Sequence, residues 1–533
     1  MSLPPEIFAE IFGEVARDIH TAYAQSLKQP EVPATSDPLP PYSWIRLSHV
    51  CHVWRSIALS TPALWANLCI TNASATDEFL RRSANQNLTV TFRRPSITSR
   101  RVTEEERDAR MTAFRNIVNN HIQRITSLIV PPCFAVLTPE IAQTAIQLRS
   151  VTMIAPGADL GARDSSPVPL PFPVLEHFEF RVASFRQRYQ RLLCPTLKTI
   201  VLRPDLTSVS FENTFNVYLP SARELVRVIA TLPHLEHLDA RLSPALEAVT
   251  QTAELPRLLH IRLVGAPAAV VANLLAHVIP ARDVQLNIDC RLGDEENEGF
   301  FLSVPRIIVR ALGNAVVPSS FAPCVGFSIG DIRGYYGLHG WRRDPHFSSY
   351  TDFAAVSSSA DVRVTCAWKE TYEDLATILR PFTLGAVQHV RIGKMPWHIA
   401  GMLENTSTLC SHKGLQSLVL DGIAVTRALH LLAETSAKAV TLMNINFKPS
   451  NTAKEAHWSY SRSSVSSDEP SIVADLAEVF AERTLEGRPI MSLRILHAMN
   501  IVAADVETLR EHVAQVEWDG LGVAALDPGC TYQ

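Results

Sequence analysis

The chain has 533 residues, a formal net charge of −4, a pI near 6.5 and 19% charged residues. Nucleic-acid-binding domains carry clustered lysine and arginine, so this balance argues against a nucleic-acid partner. The longest apolar run, residues 266–281, contains Asn273 and His277 and falls short of the ~18 residues that a membrane span needs, so we expect a buried helix and no membrane partner.

The first predicted element is a helix near the amino terminus. Residues 3–8 read LPPEIF, and apolar residues continue at helical spacing through Ile11, Phe12 and Val15. Proline is well tolerated at the start of a helix, because the N–H that it lacks would have no partner there. The pattern therefore predicts an amphipathic helix that opens at the prolines.

A second amphipathic stretch covers residues 44–58, which read WIRLSHVCHVWRSIA. Leu47, Val50, Cys51, Trp54 and Ile57 recur at steps of three and four, which predicts one apolar stripe on a helix. Two short helices with wide apolar faces bury too little surface to form a stable domain alone. Their exposed apolar surface therefore predicts a protein partner.

Together these stretches resemble the F-box, and residues 61–65 (TPALW) resemble the continuation seen in fungal F-box-like proteins. The resemblance implies a substrate-receptor subunit of a Skp–cullin–F-box ubiquitin ligase, whose partners are the Skp adaptor and, through it, a cullin. It also implies that Trp54 and Ile57 pack inside the domain. The adaptor-binding residues that it implies are Leu3, Pro4, Ile7, Phe8, Leu47, Val50 and Cys51.

The F-box-like helical domain is expected over residues 1–70. It contains a proline-rich insert at about 21–42, which compact F-boxes lack and which we expect to loop out. A bridging section at 71–124 carries a short helix, a strand at 88–92 and a helix that a Thr103–Glu106 capping box begins.

A unit of the form apolar-x-x-apolar-x-apolar then recurs along the chain. Most steps between copies fall between 22 and 28 residues, with longer steps of 38 and 53, and most lie in the window of leucine-rich repeats. Helix patterns lie between copies, such as the capping box of Ser221 and Glu224. The copies begin at Ile125, Leu148, Leu175, Leu197, Leu235, Leu258, Val387, Leu415, Ala437, Ile490 and Val513.

The expected fold class is therefore α/β: a small helical F-box followed by an irregular, leucine-rich-repeat-like solenoid with a curved parallel sheet. The solenoid is expected over residues 125–533, with interruptions at about 293–350 and 448–470. An ordinary α/β protein with similar strand motifs is the alternative. The solenoid would place strands near residues 198–202, 236–240, 259–263, 388–392 and 416–420, parallel and adjacent in chain order within each half.

The repeat register predicts a polar face on the sheet. If Leu235 and Leu258 are equivalent, His237 aligns with His260 and Asp239 aligns with Arg262. Because side chains alternate along a strand, these residues would face away from the core. We expect either a target-recognition face or a merely solvated one. Its candidate target-binding residues are His237, Asp239, His260, Arg262 and Arg391.

A second candidate target-binding segment lies within the interruption at 293–350. Residues 335–343 combine Tyr335, Tyr336, Trp341, Arg342 and Arg343 with neighbouring glycines. Trp, Tyr and Arg are enriched at binding hot spots, and glycine lets a loop adapt. One reading makes Trp341 and Arg342 exposed contacts for a target, and the other tucks the aromatics back onto the sheet.

Signals of enzymatic chemistry are sparse. Residues 326–330 match Gly-x-Ser-x-Gly, which would make Ser328 a hydrolase nucleophile, but Pro323 disturbs the lead-in and a poor helix sequence follows. The acidic run at 294–298 lacks the ligand spacing of a calcium loop. The nine cysteines include no Cys-x-x-Cys pair, so we expect neither a structural zinc nor a redox pair.

These patterns predict a non-enzymatic adaptor without metal or cofactor, whose F-box binds the Skp adaptor and whose solenoid binds a target protein. One alternative is an interaction scaffold of the same architecture outside any ligase, and a further one is the serine hydrolase that uses Ser328. Glu6, Glu10 and Glu14 interrupt any signal-peptide core, and the cysteine pattern fits a reducing compartment. We therefore expect the protein in the cytoplasm, the nucleus or both.

Overall fold

A computed structural model gives the fold in two compact units, Met1–Leu258 and Leu259–Gln533. Across the described residues, no helix has both the length and the apolar character that crossing a bilayer requires. The described residues are 4–28, 40–92, 103–130, 137–155, 170–182, 192–203, 219–265, 268–280, 284–290, 326–332, 335–341, 360, 362–367, 387–393, 414–422, 425–445, 447, 472–498 and 501–520.

The first unit begins with helices and continues as a parallel sheet. Its helices are α1 (Pro5–Lys28), α2 (His52–Ser60), α3 (Ala73–Arg82), α4 (Glu104–His121), α5 (Pro139–Thr144) and α6 (Ala222–Ile229). Its strands are β1 (Asn67–Cys69), β2 (Leu88–Thr91), β3 (Ile125–Val130), β4 (Ser150–Ala155), β5 (His177–Val182), β6 (Thr199–Leu202), β7 (His237–Arg241) and β8 (Ala253–Leu255).

The strands β1 to β7 pair in chain order, each parallel to the next. The sheet of the first unit therefore starts at residue 67, inside the stretch expected to be the helical F-box domain, and β2 matches the strand expected at 88–92 in the bridging section. Thr103 accepts a hydrogen bond from the backbone N–H of Glu106 at 3.2 Å, and Ser221 and Glu224 form a reciprocal capping box. Both helix starts thus agree with the sequence patterns.

The second unit has the same alternation of strands and helices. Its helices are α7 (Ala268–His277), α8 (Val425–Glu434), α9 (Val473–Leu485) and α10 (Ala503–Arg510). Its strands are β9 (His260–Val264), β10 (Val278–Pro280), β11 (Gln285–Cys290), β12 (Gly326–Ile332), β13 (Tyr335–Trp341), β14 (Val362–Ala367), β15 (His389–Ile392), β16 (Ser417–Asp421), β17 (Ala439–Met443), β18 (Ser492–Leu496) and β19 (Gln515–Trp518).

The sheet of the second unit is parallel except at one inserted strand. The strands β9, β11 and β14 pair in parallel, as do β12 and β15 through β19 in chain order. Between these two parallel sets, β13 runs antiparallel to both β12 and β14. The antiparallel strand β13 lies within the interruption expected at about 293–350, and the described strands of the recurring unit outside it pair in parallel, as expected.

Every copy of the recurring apolar unit forms a strand. Except at Ile125, where β3 begins at once, the strand begins two residues after the first apolar side chain, which is buried in each copy. A turn precedes the strand where Leu197 N–H donates to Cys194 C=O at 3.1 Å and Leu235 N–H donates to Leu232 C=O at 3.2 Å. The apolar residue thus anchors the chain as it enters the sheet, and the α/β, solenoid-like class is confirmed.

The helix α1 is longer than the sequence pattern suggests. It continues to Lys28, so residues 21–28 of the expected insert are helical, and Leu27 is buried. The first proline of the insert is Pro30, and a residue before proline is disfavoured in helical conformation. Residues 29–39, the rest of the helix-to-helix connection up to Pro40, lie outside the described residues.

The stretch at 44–58 is two elements rather than the one helix expected. A 3-10 helix spans Ser43–His49, and α2 begins at His52. Cys51 separates them, because its backbone is extended and its Sγ accepts a hydrogen bond from Trp54 N–H at 3.5 Å. The break leaves Val50 61% exposed.

Candidate functional site

The helical region has an aromatic core that joins both of its sequence motifs. Phe8 and Phe12 of α1 contact the ring of Trp54, with centroids 5.5 and 5.2 Å away. Trp44 and Trp65 meet edge to face at 5.0 Å. Buried members of one cluster are Phe12, Ala16, Trp44, Ile57, Ala58, Leu64 and Trp65. Ile57 is thus internal and Trp54 packs on the core, both in line with expectation.

Apolar side chains are exposed on α1, at the break after the 3-10 helix and at the start of α2. Ile7 and Ile11 are 40% and 45% exposed, and Val50 and Val53 are 61% and 57% exposed. The two isoleucines flank the phenylalanines that contact Trp54, and Val53 directly precedes Trp54 in the chain. We call Ile7, Ile11, Val50 and Val53 the apolar patch.

The residues named for adaptor binding divide by exposure. Pro4 and Cys51 are exposed along with the two patch members Ile7 and Val50. Phe8 and Leu47 are half-buried and pack against the core. Leu3 lies outside the described residues. Sequence reasoning did not name Ile11 and Val53 for adaptor binding. The spacing of Ile11 four residues after Ile7 on α1 was an available signal, whereas Val50 and Val53 lie on either side of the break at Cys51.

A tyrosine ties the helical region to the sheet. The Tyr42 hydroxyl donates to the Cys69 carbonyl at 2.7 Å and accepts from the Cys69 N–H at 2.6 Å, so it occupies both backbone groups of that β1 residue. Its ring packs against Phe79 of α3 at 4.5 Å. Burial raises the pKa of the Cys69 thiol to about 12, so this thiol stays protonated and unreactive.

Behind Tyr42, α1 buries a histidine. The His20 ring meets the Tyr42 ring edge to face at 5.9 Å, and its buried Nε2 has no hydrogen-bond partner among the residues that the structure describes. Burial lowers the pKa of His20 from the usual 6.5 to about 4. The imidazole is therefore neutral in the folded protein at physiological pH.

This lowered pKa predicts acid sensitivity of the helical region. Below pH 6.5 the unfolded chain binds a proton at His20, whereas the folded chain does not until about pH 4. Stability should therefore be constant above pH 6.5 and fall by up to about 3 kcal/mol between pH 6.5 and 4. Urea unfolding at several pH values should show that H20Q loses less stability than wild type between pH 6.5 and 4. The exposed-histidine variant H234Q should behave as wild type, and an equally steep loss in H20Q would contradict this assignment.

The sheet of the first unit presents polar side chains opposite its core. Along β7, Leu238 and Ala240 are buried while His237, Asp239 and Arg241 are partly exposed, as the alternation predicts. Asp239 accepts a hydrogen bond from Arg203 Nε at 2.6 Å. On β5, Glu179 is buried and accepts from Arg181 Nε, also at 2.6 Å. We call this side of the first unit's sheet the open face.

The residues expected from the second unit have mixed outcomes. His260 and Arg262 are exposed on β9, where Ile261 and Leu263 are buried. His237 and His260 lie in different units, so their alignment remains a prediction. Arg391 is fully buried and donates to Asp421 at 2.6 Å, so its expected place on an accessible face is wrong. Both sides of β15 are covered at Arg391 and its neighbours.

The segment around Trp341 is a strand and not an adaptable loop. Trp341 ends β13 and is 4% exposed, so the reading that makes it an exposed contact is wrong and the reading that tucks it onto the sheet holds for this residue. It belongs to one buried cluster with Ala360, Val419 and Met443. Arg342 lies outside the described residues. On the same strand His339 is buried, and burial, followed by nearby Arg363 and Arg391, lowers its pKa to about 3.

The Gly-x-Ser-x-Gly match does not form a nucleophile elbow. Ser328 lies inside β12 with a strand paired on each side, and β13 follows where an elbow requires a helix. In the described part of the chain, no group of three or more His, Cys, Asp or Glu side chains is placed to hold a metal ion. Cys51, Cys69 and Cys194 are free thiols.

Comparison with known families bears on the helical region. A family model described as F-box-like matches residues 1–71. The match ends just after β1, so it takes in the aromatic core, the apolar patch and the Tyr42–Cys69 contact. A comparison of the chain with curated proteins found no match. An F-box-like domain supports binding of a Skp-type adaptor in general.

Proposed function

We propose that the chain is a substrate receptor of a Skp–cullin–F-box ubiquitin ligase. Its apolar patch would bind the Skp adaptor, and the open face would bind the protein to be ubiquitinated. The patch is the observation that supports this best, because four large apolar side chains stand in solvent beside a well-packed core. Exposed apolar patches on soluble proteins mark interaction sites.

The long connection between the two motifs does not prevent them from packing together. Phe12 lies before the connection, Trp44 and Ile57 lie after it, and all three belong to one buried cluster. An F-box degraded by an insertion would lose such joint packing. This observation favours the ligase role over a scaffold of the same architecture outside any ligase.

The link between patch and sheet supports a receptor that holds its target in a defined place. Tyr42 bonds to the first strand, and Arg82 of α3 stacks over Trp65 with its guanidinium carbon 4.4 Å from the ring centroid. Cation–π stacking and paired hydrogen bonds restrict relative motion of the parts that they join. A target on the open face would then stay at a fixed distance from the adaptor.

Co-purification with the Skp adaptor and a cullin tests the proposal. The double variant I7D/V50D should reduce adaptor recovery at least about tenfold, because two carboxylates would be desolvated in an apolar interface. Both positions are exposed, so circular dichroism and thermal unfolding should match wild type.

The matched control is L246D, which alters a 67% exposed leucine outside the patch and should leave adaptor recovery unchanged. Full adaptor recovery with I7D/V50D would reject the patch as the adaptor site. Absence of adaptor from the purified wild-type chain would reject the ligase role.

A further inference from the structure

Three arginines take equivalent positions on neighbouring strands of the open face. His177, Thr199 and His237 are in register across β5, β6 and β7, and so are Glu179, Val201 and Asp239. Each of these last three residues is followed, two positions later in the chain, by an arginine: Arg181, Arg203 and Arg241. We call these three residues the arginine row.

Two arginines of the row donate hydrogen bonds to carboxylates on the same face. Arg181 Nε donates to Glu179 Oε1, and Arg203 donates through Nε and Nη2 to the two carboxylate oxygens of Asp239. The Glu179 side chain is only 4% exposed, and its other oxygen accepts from Thr152 at 3.3 Å. The guanidiniums are thereby fixed in place before any partner arrives, which lowers the entropy cost of binding.

The bonds to Asp239 leave donors on Arg203. A guanidinium has five N–H donors, and Asp239 engages two of those on Arg203. The side chains of Arg181 and Arg203 remain 20% and 26% exposed. The row places three guanidinium groups along one line of the face, beside the carboxylates of Glu179 and Asp239.

We propose that the arginine row binds an acidic, extended segment of the target, an inference that rests on the target-binding role proposed above. Neighbouring strands lie about 4.8 Å apart, so the row spans roughly 10 Å. Alternate residues of an extended chain lie roughly 7 Å apart, so two carboxylates of such a segment fit along the row. Arginine binds carboxylates through paired, charge-assisted hydrogen bonds.

Fluorescence anisotropy with two labelled peptides tests this inference on the full-length chain. The probes are an octapeptide that alternates glutamate with valine and its counterpart that alternates lysine with valine. The glutamate peptide should bind the wild-type chain at least about tenfold more tightly, and R203Q should remove most of that preference. Equal binding of the two peptides would overturn the inference.

Two further variants test whether the effect of R203Q comes from a loss of folding or from the loss of any one positive charge. K198Q removes a lysine next to β6 that pairs with Glu176 at 3.2 Å, at the opposite end of the strand, and should change affinity less than twofold. The swap R203D/D239R keeps an ion pair but moves the positive charge out of the row. It should unfold like wild type and bind the acidic peptide as weakly as R203Q. Wild-type affinity in the swap, or an equal loss in K198Q, would overturn the inference.

Adaptor recovery, measured on the same variants, distinguishes this inference from the proposed function. The arginine variants should retain the Skp adaptor, because the apolar patch is untouched. If wild type binds the acidic peptide selectively but never the adaptor, the ligase role fails and the acidic preference stands. If wild type binds the adaptor but shows no acidic preference, only the present inference fails.

Discussion

Replacing Trp44 with alanine should destabilise the helical region by about 3–5 kcal/mol, the usual cost of deleting a buried aromatic side chain. Trp44 is 1% exposed and packs edge to face on Trp65. That loss is comparable to the whole stability of many small domains. We therefore expect W44A to lose adaptor binding by unfolding its site, with fast hydrogen exchange in α1 and α2.

The control for this prediction is W44F, which keeps an aromatic ring at the position. The buried Nε1 of Trp44 has no hydrogen-bond partner, so its removal offsets part of the lost packing. W44F should cost less than about 2 kcal/mol and retain the adaptor. Near-wild-type exchange rates in W44A would show that the aromatic core does not hold α1 and α2 together.

Replacing Arg483 with methionine should destabilise the second unit by about 3–5 kcal/mol, because several buried carbonyls lose a charged donor at ~1–3 kcal/mol each. Arg483 on α9 is 1% exposed and donates to the carbonyls of Leu432, Thr435 and Ala437. These carbonyls lie at and just beyond the end of α8, where helix geometry supplies them with no donor. Without the guanidinium, the buried carbonyls of Leu432 and Ala437 would lose this donor, and the Thr435 carbonyl would keep only the longer bond from Arg488 at 3.4 Å.

Hydrogen exchange measured by mass spectrometry should locate this effect at the carboxyl end of α8 and the turn into β17. R488A is the matched control, because Arg488 reaches carbonyls of the same turn at 3.2 to 3.4 Å but is partly exposed. We expect R488A to cost less than about 1 kcal/mol. An effect of R483M no larger than that of R488A would contradict the role assigned to Arg483.

The positions of the strands could be read from the sequence because the signal is local. Leu197 and Leu235 each begin an apolar unit, and each is buried just before the strand that the unit predicts. The capping boxes at Thr103 and Ser221 are equally local, since one turn of chain contains both partners. The two helical motifs likewise carry their own apolar spacing.

The pairing of strands was partly predictable. Parallel neighbours in chain order follow from the repeat, and β15 and β16 pair as expected. The antiparallel pairing of β13 with β12 and β14 does not follow from the repeat, because no copy of the recurring apolar unit covers these three strands. The shared order of polar residues on β5 and β7 was visible in the sequence as His-x-acid-x-Arg at 177–181 and 237–241. That these residues align across the sheet became clear only from the register of β6, which lies between the two strands.

The strands of the recurring unit, the starts of the capped helices and the motifs that resemble an F-box all follow from the sequence alone, because each depends on spacing within a few residues. The accessibility of a polar face depends on the tertiary structure. Alternation assigns Asp239 and Arg391 alike to the side away from the core, yet Asp239 is partly exposed and Arg391 is fully buried. The burial of a side chain depends on which distant chain segments pack over it, and the alternation of side chains along one strand does not indicate those segments.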